Sequence, residues 1–581
     1  MAKGQASLRA SVPLLVAVTG HRDLVASEVP GLRDRIRTFL AGLRDAYPDL
    51  PLQLLSPLAE GGDRLAAHVA RDLGIPVLVP LPMPRDVYEQ EFTDPRSCSE
   101  FREMCAEAAE VFELPLPPAL RPADLAPGSE GRDLAYARLG VYLATHCQIL
   151  LAIWDGKVTD KPGGTSQVVR YRLEGLTAGL DLETERGTNL LADSENDLIC
   201  HIVCSRDRDD GEPATGLAPL DASYLVADPP GTRLPELPES RRRILERAQE
   251  FNRDAIKYGG EFGVSGRTLL GDAPEWMIGK CAGDVRHLFE VSDWLARHFQ
   301  RRVYFMLRLT YSLAVLMGLA FIIYADLPGY DIMIWVFLAL FAVGVTVNRI
   351  AGRRDWHRKY LDYRALAEGL RVQFYWLVSG VSDRMQSQFA HDNFLQKQDV
   401  ELGWIRDVMR AASLRPETQK ENAYGPGLDA VIDEWIGAQN TGLGQTDYYR
   451  TRATEKDAVS RVTERIGLFC LWAGIGVTLI LALGNRLLAD HTVNVLMVMM
   501  GMLPLIAAVR EAYARKKADR ELIKQYRFMH RIFRNAKLRL DRAGSVDARR
   551  DILRSLGEAA LGEHAEWILM HRERPLEHGK L

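Results

Sequence analysis

The chain has no CxxC pair. Its seven cysteines, Cys98, Cys105, Cys147, Cys200, Cys204, Cys281 and Cys470, are odd in number and scattered, which argues against a secreted disulfide framework. Cys200 and Cys204 flank His201, but no second ligand pair accompanies them, so the run reads as a strand and no metal is expected. There is no excess of charge of one sign: Lys+Arg 73 stand against Asp+Glu 77. That balance gives no indication of the basic surface a nucleic-acid partner usually needs, and none is expected. The apolar run Val12 to Val18 is too short for a secretory leader and ends in Gly-His-Arg, so the N-terminal part is expected in the cytoplasm.

Long apolar runs, by contrast, are present. Val303 to Tyr324, Ile332 to Val347, Ile466 to Leu483 and Val493 to Val509 form two pairs, each split by a short polar loop. Their lengths sit at or near the roughly 17 to 25 residues of a spanning helix. Arg301, Arg302 and Arg308 lead the first pair, and Arg349, Arg353 and Arg354 follow it. Arg461 and Arg465 lead the second, and Arg510, Arg515, Lys516 and Lys517 follow it. The loop Ala325 to Asp331 has no Lys or Arg, and Asn485 to Thr492 has only Arg486. By the positive-inside rule both pairs have their ends in the cytoplasm. A multi-pass membrane protein with both termini cytoplasmic is expected, with the lipid bilayer as partner. No span carries the series of ionisable residues expected of a transporter. Four modest spans enclose no channel alone, so a pore would require a homo-oligomer.

Long charged helices leave both pairs. One is Trp356 to Val378, with Tyr360, Tyr363, Leu366, Leu370 and Phe374 on one face. The other is Ala518 to Leu540, with Leu522, Tyr526, Met529, Phe533 and Leu538. The repetition indicates a duplicated helix–hairpin–helix unit, residues 301–415 and 416–581, with the aromatic positions packed in the core of a cytoplasmic stalk. A connector, residues 236–300, precedes them. In it Glu239 to Phe262 is a helix, and a second helix runs from Ala282 into the first span without a breaker. Pro213 to Pro238 reads as a loop or linker.

Residues 8–235 alternate strand and helix. Pro13 to Thr19 is a continuous apolar run suited to a strand buried on both faces. Strands are expected at Leu52 to Leu55, Ile75 to Leu81, Cys147 to Trp154 and Leu198 to Cys204, with helices between them. The fold class is thus an α/β open parallel sheet followed by an all-α membrane domain with four transmembrane helices. Glycine-bearing turns follow three strands: Thr19-Gly20-His21-Arg22, Glu60-Gly61-Gly62-Asp63, and Trp154-Asp155-Gly156 with Gly163-Gly164-Thr165. Ligands of open α/β sheets bind at the carboxyl ends of strands. Glycine admits close approach, and helix starts offer N–H groups to anions. These residues make a candidate pocket, with Arg22 and His21 supplying positive charge and Glu60, Asp63 and Asp155 facing ribose hydroxyls or a metal. The alternative is that the glycines only make tight turns.

The order of these three motifs resembles the SLOG superfamily, which includes LOG-type phosphoribohydrolases, DprA-like proteins and the N-terminal nucleotide-sensing regions of melastatin-type TRP channels. The resemblance spans roughly residues 12 to 205 and implies a Rossmann-like fold and a nucleotide or nucleotide-derived second messenger as ligand. LOG-type enzymes carry Pro-Gly-Gly-x-Gly-Thr and then a catalytic glutamate. Here Pro162-Gly163-Gly164-Thr165-Ser166-Gln167 lacks both the further glycine and the glutamate, and Glu174 is too far along. Binding without turnover is the expectation. The C-terminal half is similar to the SLATT two-span effector domains, through Asp293-Trp294-Leu295-Ala296, Trp435, Tyr448-Tyr449, Ala565-Glu566-Trp567 and His571-Arg572-Glu573-Arg574-Pro575. Together the resemblances imply a nucleotide-sensing membrane effector of bacterial conflict systems, in the inner membrane. A membrane-tethered nucleotide hydrolase and a non-catalytic scaffold are the alternatives.

Overall fold

A computed structural model of the chain describes residues 11–116, 120–159, 161–174, 197–227, 229–264, 268–382, 394–395, 400–415, 421–437, 444–484 and 488–572. The chain forms two compact units. The first comprises Met1–Ser265, Ile278–Val291 and Ser382–Lys420, and the second Gly266–Met277, Ser292–Val381 and Glu421–Leu581.

The first unit is built on an eight-stranded sheet of order β4-β3-β2-β1-β5-β6-β7-β8. Its strands are β1 Leu14–Gly20, β2 Leu52–Leu55, β3 Val77–Leu81, β4 Glu110–Glu113, β5 Ile149–Trp154, β6 Ile199–Val203, β7 Ala222–Val226 and β8 Thr232–Leu234. Pairings from β4 across to β6 are parallel, and β7 and β8 add antiparallel at one edge. The centre is apolar because helices cover both faces: Leu15, Val16, Ala17, Leu150, Leu151 and Ala152 are fully buried. The helices are α1 Val29–Ala46, α2 Gly62–Asp72, α3 Pro95–Glu107, α4 Glu130–His146, α5 Thr165–Glu174 and α6 Glu239–Tyr258. Side chains fix two of their starts: Asp94 accepts from the Arg96 N–H at 3.0 Å, and Ser129 accepts from the Arg132 N–H at 3.2 Å.

One expectation is corrected. Pro213 to Pro238, read as a linker, contains β7 and β8, which continue the sheet beyond β6. Proline and glycine there punctuate a hairpin: Gly231 has φ +82 and its N–H donates to Val226. The short strand β4 was also absent from the sequence reading.

The second unit is helical. Helix α7, Lys280–Asp326, is continuous through segments of both units. It is followed by α8 Met333–Arg353 and α9 Trp356–Val378. After α10, Gly403–Ala412, which belongs to the first unit, come α11 Glu421–Val431, α12 Gln445–Gly484, α13 Asp490–Lys516, α14 Asp519–Leu540 and α15 Val546–Arg572. Four helices, α7, α8, α12 and α13, are long and apolar enough to cross a membrane. Large apolar side chains on them face outward: Trp335 is 71% exposed, Trp472 67% and Phe469 70%. Such a continuous apolar surface is costly in water and suits lipid.

One backbone feature recurs in the two halves. Both α8 and α13 end in a pair of basic residues followed by one left-handed residue, Asp355 at φ 48 and Ala518 at φ 51. Counting onward from these, Tyr363 corresponds to Tyr526, Leu366 to Met529 and Leu370 to Phe533. Tyr360, Tyr363, Leu366, Leu370, Phe374, Leu522, Met529 and Phe533 are buried. Leu538, expected on that face, is exposed, and Leu540 is buried in its stead. Trp435 stacks on Tyr375 with ring centroids 4.9 Å apart, and Arg572 pairs with Asp362 at 3.0 Å. Glu573, Arg574, Pro575 and Arg486 lie outside the described residues.

Candidate functional site

Strand order reverses between β1 and β5, because the chain winds outward in one direction through β2, β3 and β4 and in the other through β6. The turns after β1, β2 and β5 therefore meet at one end of the sheet, where a crevice forms in open α/β folds. The first two touch backbone to backbone. A Cβ on Gly20 would lie 2.8 Å from the Gly62 Cα, and one on Gly61 would lie 2.3 Å from the His21 carbonyl oxygen. Gly61 also holds φ +80, which favours glycine. The His21 carbonyl accepts the Gly62 N–H at 3.0 Å. The start of α2 is thus occupied by the chain's own backbone, and the Gly61-Gly62 turn is accounted for by close packing of two loops. It does not form the open phosphate cradle that the sequence suggested.

The third turn joins through side chains. His21 Nε2 lies 3.1 Å from Asp155 Oδ1, and the Lys157 N–H donates to the same carboxylate at 3.0 Å. Burial disfavours the Asp155 carboxylate, but His21, the Lys157 N–H and Arg206 together hold it below the ordinary value. Trp154 donates its indole N–H to the Lys157 carbonyl at 3.1 Å, closing the turn. Gly156, at φ +81, packs against Leu217.

Arg22 reaches beyond the glycine turns. Its guanidinium donates to Glu91 at 3.0 Å and lies 5.9 Å from the Tyr136 ring centroid. Burial works against its charge, yet Tyr88, Glu91 and Tyr136 outweigh burial and hold its pKa above the usual value. Glu91 also pairs with the buried Arg132, and the two arginines overcome burial to lower its pKa. Tyr88 is buried, and its hydroxyl donates to the Pro57 carbonyl at 3.2 Å. Asp63 is buried, and its carboxyl is pushed up to about 8 against the pull of Arg22 and of the Gly20 backbone. The Pro162-Gly163-Gly164 loop enters from the other side. A Cβ on Gly163, which holds φ +68, would lie 2.4 Å from the Tyr136 Cβ. Gln167 accepts the Gly163 N–H at 2.5 Å, and the Thr159 N–H donates to Ser166 Oγ at 2.9 Å. The Thr165 and Ser166 N–H groups stand in the first turn of α5, where intrahelical partners are lacking.

Asp63 Oδ1 and Arg132 Nε are buried with no hydrogen-bond partner among the described residues, while Asp155 Oδ2 faces Arg206 at 4.0 Å. Orphaned buried polar atoms are costly, and the two here lie beside Arg22 and the glycine turns, where a polar guest would relieve them. Glu60 is otherwise engaged, accepting from Ser97 Oγ. Leu58 adds backbone strain beside the turn, at φ 57, while accepting from Arg64 at 3.0 Å. Thr19 is buried and pairs along β1 with Ala152 of β5. Among the described residues no group of three or more His, Cys, Asp or Glu is placed to hold a metal.

The structure thus joins Gly20, His21, Arg22, Gly61, Gly62, Asp63, Asp155 and Gly163 into one region, and turns Glu60 away. It adds Tyr88, Glu91, Arg132 and Tyr136, which sequence reasoning missed because no motif marks them; each is an isolated residue in or beside a helix. Comparison with protein-family models, curated proteins and solved structures finds no match to this chain.

Proposed function

We propose that the chain is a nucleotide-responsive membrane effector. A phosphate-bearing ligand, a nucleotide or a nucleotide-derived second messenger, binds at the carboxyl ends of β1, β2 and β5 and controls a four-span membrane domain. The observation that carries this reading is the buried, partly unpartnered polar cluster around Arg22, at the end of the sheet where strand order reverses. Arg22 and the first turn of α5 supply positive potential for phosphate. Asp63 and Asp155 supply oxygens for ribose hydroxyls. The missing glutamate after Gly163-Gly164 favours binding over turnover.

In this reading the N-terminal unit is Rossmann-like and SLOG-like, and the spans form two SLATT-like hairpins with both termini in the cytoplasm of a bacterial inner membrane. Helix α7 supplies a covalent route from sensor to spans. Homo-oligomers form the conducting or membrane-disrupting state, because four spans enclose no channel alone, and the ligand favours that state by binding it more tightly. The test uses the full chain in liposomes loaded with a self-quenched dye and a panel of mononucleotides, cyclic dinucleotides and ADP-ribose derivatives. Ligand-dependent release that Arg22→Ala abolishes supports the reading. Binding without release across the panel reduces the membrane domain to a scaffold, and chromatographic detection of product replaces the sensor with an enzyme.

A further inference from the structure

The second unit contains a built pocket apart from the site above. It is an open cavity of about 40 Å³ between α7, α8, α9 and α13, lined by Val303, Met306, Leu307, Val347, His357 and Lys516, among others. That volume gives room for roughly three water-sized groups. Its walls are apolar toward the spans, and its polar groups gather where the spans end in basic residues. Lys516 closes α13 and is half-buried, and no carboxylate is paired with it among the described residues. Beside it Trp356 carries Arg302 at 5.4 Å and Arg354 at 5.8 Å from its ring centroid, an aromatic and cationic rim suited to a membrane interface.

His357 supplies a second, independent observation. It is 7% exposed. Its Nε2 faces the His571 carbonyl oxygen at 3.3 Å, so Nε2 carries the proton and Nδ1 presents a lone pair. Nδ1 is buried and has no hydrogen-bond partner among the described residues. His357 and Lys516 thus line one cavity under an apolar groove, the first with a ring nitrogen unpartnered among the described residues and the second with an ammonium that no carboxylate pairs with among them.

We propose that this pocket binds the headgroup of an anionic phospholipid bearing a free hydroxyl, of which phosphatidylglycerol is the simplest. Lys516 faces the phosphate, His357 Nδ1 accepts from the headgroup hydroxyl, and the acyl chains lie along Val303, Met306, Leu307 and Val347. Basic pockets between spans on the cytoplasmic side suit such headgroups. The proposal rests on the reading that α7, α8 and α13 cross a bilayer, and pelleting with carbonate-washed membranes tests that premise separately.

The full chain is reconstituted in phosphatidylcholine nanodiscs containing phosphatidylglycerol or phosphatidylmethanol, which is anionic but has no headgroup hydroxyl. Native mass spectrometry then measures the lipid retained. The wild type is expected to retain phosphatidylglycerol about tenfold over phosphatidylcholine, about 1.4 kcal/mol, and to prefer it over phosphatidylmethanol. Lys516→Gln loses most of the first preference, His357→Phe loses the second, and Arg349→Gln on the exposed rim changes neither. If His357→Phe does not fold, the wild-type comparison of the two anionic lipids carries the hydroxyl arm. Equal retention of phosphatidylcholine and phosphatidylglycerol overturns the proposal, as does unchanged retention in Lys516→Gln. Displacement of the lipid by equimolar soluble glycerol phosphate assigns the pocket to a free phosphate and also overturns it.

Discussion

Asp63 and Arg22 are the buried acid and the nearest cation at the candidate N-terminal site. Asp63 is buried with a carboxyl pKa of about 8, against 3.8 for the ordinary group. The folded state therefore holds a proton that the unfolded chain releases. This contribution to stability is fully present below about pH 4 and is lost as pH rises through 8. Asp63→Asn removes that dependence. Thermal melting of the full chain in detergent at pH 5, 7 and 8.5 should show the variant gaining on the wild type as pH rises, by at most roughly 4 kcal/mol between pH 5 and 8.5. A parallel fall of both proteins with pH contradicts the assignment. Arg22→Ala leaves Glu91 with Arg132 alone and takes the cation from beside Asp63. Ligand affinity should drop at least about tenfold, roughly 1.4 kcal/mol, measured by thermal shift with whichever nucleotide binds the wild type. The motif Gly-His-Arg was visible in the chain; the Tyr88, Glu91 and Tyr136 environment that holds the Arg22 charge was not, since those residues reach it only through the packing of separate elements.

At the scale of elements, glycines that look alike in the sequence have different work. Gly62→Ala drives a methyl group into the Gly20 backbone at 2.9 Å. Backbone cannot give way as a side chain can, so a loss of about 1–3 kcal/mol is expected. Gly42, on the exposed side of α1, has nothing within 4 Å of an added Cβ. Gly42→Ala should stabilise by about 0.5–1 kcal/mol through helix propensity. Opposite shifts in melting temperature for the two variants check the pair. Strands β1 and β5 were legible because each is a short, continuous apolar run buried on both faces, and β2 and β6 because a single polar residue, Gln53 or His201, interrupts an otherwise apolar run. β7 and β8 were not. They lie at a sheet edge, are mostly part-exposed, and sit among prolines and glycines, so a period-2 apolar signal never develops. The left-handed breaks at Asp355 and Ala518 were also hidden, because neither residue is a glycine.

At the scale of the whole molecule, the positive-inside reading yields a direct measurement. In a chain with its cysteines replaced, Gly329→Cys between α7 and α8 should react with a membrane-impermeant maleimide in intact cells. A cysteine restored at position 98 should react only after lysis. The reverse pattern refutes cytoplasmic termini. The sequence by itself determined the four long apolar helices, their basic flanks and most of the alternating strands, because hydropathy, charge and period are local properties of the chain. Only the tertiary structure decided how the glycine turns are used: packing of the β1 loop against Gly61 and Gly62 fills one expected cradle with the chain's own carbonyls. It also gathered Arg22, Asp63, Tyr136 and Asp155 at one end of the sheet, and placed Lys516 beside His357. Those juxtapositions join residues far apart in the chain, and the burial that leaves Asp63 Oδ1 and His357 Nδ1 unpartnered among the described residues exists only once the elements are packed.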